Sequence, residues 1–69
     1  MTGFVHRIEP LKRFCFILSE GEEFFAHKRD FPDPKEMKEG QYVSFIAGEI
    51  PKGKKNRPAM ALKVVDQAA

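Results

Sequence analysis

Phe14 and Phe16 stand two residues apart in Lys12-Arg13-Phe14-Cys15-Phe16-Ile17, and Phe25 and His27 repeat that spacing in Phe24-Phe25-Ala26-His27. Residues two apart on an extended strand project from the same face. Two neighbouring strands of this kind present Phe14, Phe16, Phe25 and His27 as one ring surface. A wet ring surface rimmed by cations suits unpaired nucleobases, which stack on rings while their phosphates pair with Lys and Arg. The candidate cations are Lys12, Arg13, Arg7 and Lys28. A guanidinium plane stacks on a base as well as pairing with phosphate, so Arg7 and Arg13 suit both tasks.

Catalytic parts are not assembled by the same pattern. Cys15 alternates against the ring face and reads as a small inward residue, not a nucleophile. Glu20, Glu22 and Glu23 crowd a turn that has no recognisable base or nucleophile to work with. A zinc site needs about four ligands, whereas Cys15 faces away from His27 and His6 belongs to another strand. Neither a GxxxxGK[ST] nor a GxGxxG element occurs. The sequence predicts no enzyme activity, no metal and no cofactor.

The elements that must position the rings follow from alternation and breakers. A first strand is predicted over residues 3–8, with Phe4, His6 and Ile8 alternating against Val5, Arg7 and Glu9 until Pro10 ends it. A second over 14–19 connects through Glu20-Gly21-Glu22 to a third near 23–28. Pro32 and Pro34 leave a long loop over 30–40, anchored inward by Phe31, with a turn of helix around 35–38. The fourth strand, 41–50, alternates Val43 and Phe45 against Tyr42, Ser44 and Ile46, with a bulge near Gly48. A basic loop over 51–58 leads to a last strand over 59–65.

Five short strands without a long helix predict an all-β fold, a five-stranded antiparallel barrel of OB type. An open sheet this small would leave its edges and one apolar face unprotected. With the ring set outward, Cys15, Ile17, Phe24 and Ala26 point inward and join Val5, Phe31, Val43, Phe45 and Val64 or Val65 in a core.

A chain of 69 residues allows one small domain, and 42% hydrophobic with 32% charged residues fits a folded one. A net charge of +2 is a weak argument for a polyanionic partner, but the charge is segregated. Lys52, Lys54, Lys55 and Arg57 lie in an acid-free stretch, either a solubilising loop or a phosphate contact. One cysteine, no bilayer-length apolar run and no secretory leader predict a soluble cytoplasmic protein without a membrane partner.

On these residues the chain resembles the cold-shock domain, which carries two nucleic-acid-binding signatures on the second and third strands of an OB barrel. Met1-Thr2-Gly3-Phe4-Val5 is similar to that family's opening, residues 12–17 to its first signature and Phe25-Ala26-His27 to its second. Glu39-Gly40-Gln41-Tyr42-Val43-Ser44-Phe45 is similar to its fourth strand. The resemblance implies a cold-shock-like OB domain over 1–66 with a tail at 67–69. It also implies binding of single-stranded RNA or DNA with little sequence preference, in roles such as RNA chaperoning, antitermination or transcription regulation.

The chain departs from the pattern at Arg7, in place of a tryptophan, and at Ile8, in place of a phenylalanine. Arg13 and Cys15 replace two glycines, and Lys28 stands where a further ring often follows the histidine. Fewer rings and more guanidinium shift the expected balance from stacking to charge, hence to salt-sensitive binding. The alternative expectation is an OB-fold protein-interaction module, or one domain of a longer protein, with weakened nucleic-acid binding.

Overall fold

The computed structural model describes residues 1–65; the expected domain end at 66 and the tail at 67–69 lie outside the described residues. Five strands form: β1 Thr2–Glu9, β2 Phe14–Ser19, β3 Glu22–His27, β4 Tyr42–Ala47 and β5 Arg57–Val64. They close into a barrel in the order β1-β2-β3-β5-β4, with β4 pairing back onto β1. This is the five-stranded OB-type barrel, with one correction. Four pairings are antiparallel, but β3 and β5 run parallel, with Phe24 opposite Arg57 and Phe25 opposite Pro58. A closed ring with an odd number of strands cannot alternate direction all the way round, so at least one neighbouring pair must be parallel.

The β2–β3 hairpin fixes the ring register. Glu20 and Gly21 take φ of 52° and 79°, and this two-residue loop with both φ positive matches the twist of the flanking strands. Gly21 does this at little steric cost and Glu20 at some. Ser19 then pairs with Glu22, Phe16 with Phe25 and Phe14 with His27. At the other edge of β2, Gly3 lets β1 approach closely, since a Cβ there would sit 2.5 Å from the Leu18 carbonyl oxygen.

The core comprises Val5, Cys15, Ile17, Phe24, Ala26, Phe31, Val43, Phe45, Ala59 and Leu62, with Ile8, Met37, Ala47 and Val64 packed against it. At its centre the Phe24 and Phe45 rings lie 4.9 Å apart. Burial of one such ring contributes about 1.5–3 kcal/mol. Ala59 and Leu62 join the core beyond the expected set, and Val65, half-buried, stays outside the cluster.

Two irregularities explain these differences. On β5, Ala61 and Leu62 together oppose the single residue Phe45, between the pairs Ser44–Lys63 and Ile46–Met60, and Ala61 takes φ 52°. That bulge moves the inward set from Ala59 to Leu62. It replaces the bulge expected near Gly48, where instead β4 has ended and the amide donates to the Pro58 carbonyl at 2.9 Å. On β1, Val5 pairs with Ile17 and Arg7 with Phe16, leaving His6 as an extra residue. Strict alternation would put Arg7 on the inner face with Val5. The bulge instead leaves His6 and Arg7 both exposed and turns Ile8 toward the core.

In the loop over 30–40, Phe31 is buried as expected, and two 3₁₀ turns form at Lys28–Asp30 and Pro34–Glu36. Among the described residues no helix is long and apolar enough to cross a membrane.

Cys15 is 0% exposed, and burial, with a smaller contribution from the Asp30 carboxylate, pushes its thiol from 9.0 up to about 12. Above the ordinary thiol value the unfolded chain loses this proton while the folded chain keeps it. The native state then binds more protons and stability falls as pH rises. Urea unfolding between pH 9.0 and about 12 should show this loss, up to about 1.4 kcal/mol per pH unit. The corresponding part of the slope should vanish in Cys15→Ala.

Candidate nucleic-acid interface

Since Cys15, Ile17, Phe24 and Ala26 face the core, their alternating neighbours face out, and Phe14, Phe16, Phe25 and His27 are all half-buried on the outer surface. The three phenyl rings touch one another. Phe14 lies 5.6 Å from Phe16, edge to face, and 5.0 Å from Phe25, while Phe16 and Phe25 are 6.2 Å apart. Such spacings are those of favourable offset and T-shaped pairs, so the cluster holds its shape without core packing.

His27 shares the face through its register with Phe14, but the ring contacts among the described residues do not include it. It caps the 3₁₀ turn instead. Its Nδ1 accepts from the Arg29 amide at 3.2 Å, and the Asp30 carboxylate accepts from the His27 amide at 3.0 Å. With Nδ1 accepting, the neutral ring carries its proton on Nε2, leaving an N–H donor on the other edge.

The cations fall into two groups. Lys12 and Arg13 are exposed in the β1–β2 turn, and the exposed Lys28 is tied to them through its amide, which donates to the Arg13 carbonyl at 2.8 Å. These three rim the Phe14–His27 end. The second group belongs to the basic loop between β4 and β5. Lys54 and Lys55, with Pro51, Asn56 and Pro58, line a groove of about 480 Å³ whose other wall is Phe14, Phe16 and Phe25. Asn56 anchors this loop, its Nδ2 donating to the Glu23 carbonyl at 3.0 Å. A larger concavity of about 600 Å³, lined by residues 30–32 and 58–62, offers no cation, and its one ring, Phe31, belongs to the core.

Arg7 has a different setting from the other cations. Its guanidinium lies 4.6 Å over the Phe16 ring, and its Nε is 3.6 Å from the Glu23 carboxylate. The same carboxylate oxygen lies 3.8 Å from His6 Nε2. Arg57, counted in the sequence with the basic loop, opens β5 and pairs with Glu22 at 3.4 Å. Part of the positive charge is therefore neutralised locally, while the guanidinium plane extends the ring surface beyond Phe16.

Compared with known proteins, the chain matches no family model and no curated protein sequence.

Glu23 is the acid that pairs with both His6 and Arg7 beside the Phe16 ring. Exposed pairs contribute little to stability, so Glu23→Gln should leave the unfolding midpoint nearly unchanged. Removing its charge should strengthen binding of oligothymidylate at low salt by about fivefold, equivalent to about 1 kcal/mol. Fluorescence anisotropy of a labelled oligonucleotide measures this, and weaker binding would count against the ring face as the contact surface.

Proposed function

We propose that this domain binds single-stranded RNA or DNA with little sequence preference, in the manner of cold-shock domains, and that it catalyses no reaction. The observation that carries the reading is the groove in which three mutually touching phenyl rings, absent from the buried core, face Lys54 and Lys55. Stacking of this kind tolerates any base, since every base has a π-face. The cations at Lys12, Arg13 and Lys28 supply phosphate contacts at one end of the rings and Lys54 and Lys55 along their side. Arg13 adds support. It holds φ 58°, a conformation that costs about 1–2 kcal/mol for an L-residue and suits glycine. Such strain is accounted for if the guanidinium is wanted at the strand's path. A binder of such tolerance suits keeping RNA strands unpaired, as a chaperone or antiterminator does.

A second reading, a protein-interaction module, draws on Ile46 and Met60, which pair in register and remain 63% and 53% exposed. One titration separates the two. Anisotropy of a labelled oligonucleotide should show micromolar or tighter binding at low salt. Three to five phosphate contacts imply a slope of log Kd against log salt of about 2 to 3.5. Phe16→Ala should weaken binding about 5- to 150-fold, the equivalent of one stacked base at about 1–3 kcal/mol. No binding at low salt, or equal affinity of wild type and the Phe14→Ala/Phe16→Ala double variant, would favour the protein-interaction reading.

A further inference from the structure

A second aromatic group lies on the same outer surface. Phe4 of β1 and Tyr42 of β4 pair in register, with ring centroids 5.8 Å apart, and the His6 ring stands edge-on to Phe4 at 6.3 Å. Neither Phe4 nor Tyr42 belongs to the buried cluster or packs among its partly buried neighbours. Phe4 is also the register partner of Leu18, which follows Phe14 and Phe16 on the outward face of β2.

The two groups are connected. From Tyr42 the contacts run through Phe4 to His6, from His6 to the Glu23 carboxylate, from Glu23 to Arg7, and from Arg7 over the Phe16 ring. The bulge at His6 makes this continuity possible, because two consecutive residues of β1 face outward where strict alternation would allow one. At about 3.3 Å per residue and 4.8 Å between strands, Tyr42 lies about 12 Å from Phe16 along the sheet.

We propose that Phe4 and Tyr42 form a second stacking subsite for bases of the same single strand, reached by crossing His6 and Arg7. The proposal rests on the nucleic-acid reading and extends it from one platform to a two-platform track. Arg7 is then the middle of the track, its guanidinium plane bridging the phenyl cluster to the Phe4–Tyr42 pair. Tyr42 adds to the subsite a hydroxyl that can bond to a base edge.

The chain supplies its own reporter, since Tyr42 is its one tyrosine and it has no tryptophan. Oligothymidylates of about 3 and about 8 nucleotides bracket the lower end of the ~4–16-nucleotide range of OB folds. Both are expected to raise anisotropy, and only the longer one to quench Tyr42 emission after inner-filter correction. Tyr42→Leu, which keeps apolar bulk beside Phe4, should lower affinity for the longer oligonucleotide at least about fivefold and leave the shorter one unchanged. Tight binding of the longer strand without quenching overturns the subsite alone, whether or not the variant folds. No binding of either strand overturns the nucleic-acid reading and the subsite with it.

Discussion

A closed barrel of this size has one interior, and side chains along a strand alternate between that interior and the surface. Cys15 and Ile17 on β2 and Phe24 and Ala26 on β3 occupy the interior, all at 0% exposure. Their neighbours Phe14, Phe16 and Phe25 then have no route inward. Slipping the register by one residue would bring these rings in only by expelling Ile17 and Phe24. The outward-facing phenyl cluster is thus held in place by burial of the residues between its members, and the Glu20–Gly21 turn sets the pairing that brings the two strands' rings together.

Where alternation is broken, the break also serves the surface. The bulge at His6 brings Arg7 over Phe16, and the bulge on β5 carries the inward set from Ala59 to Leu62 so that Met60 and Lys63 stay out. The parallel contact of β5 with β3 sets Pro58 beside Phe25, and this directs the preceding loop, with Lys54 and Lys55, along the phenyl rings. One topological necessity of a five-strand ring thereby couples barrel closure to the groove.

The ring set was legible in the sequence because period-two alternation is local and uninterrupted across both strands of the hairpin. The same holds for most of the core. The bulges were not legible in this way: a single extra residue leaves no mark on composition, and Ala61 carries no turn signature although it takes φ 52°. The placement of Lys54 and Lys55 depends on a pairing between β3 and β5 across the chain, which no local pattern encodes. Similarly, Glu23 reads as one acid of a turn until the pairing of β1 with β2 and β2 with β3 brings it to Arg7 and His6. His27 was readable as a member of the ring face, but its cap on Arg29 and Asp30 became visible only with the 3₁₀ turn that follows it.

Phenylalanines of a single hairpin divide between the core, at Phe24, and the outer surface, at Phe14, Phe16 and Phe25, where the proposed ligand stacks. Aromatic 1H–13C NMR of the seven phenylalanines during an oligonucleotide titration measures that division in a single experiment. The rings of Phe14, Phe16 and Phe25 should move with the ring currents of the stacked bases, while those of Phe24, Phe31 and Phe45 hold their positions. Equal movement of both sets, or no movement of Phe14, Phe16 and Phe25 at saturating oligonucleotide, would contradict it.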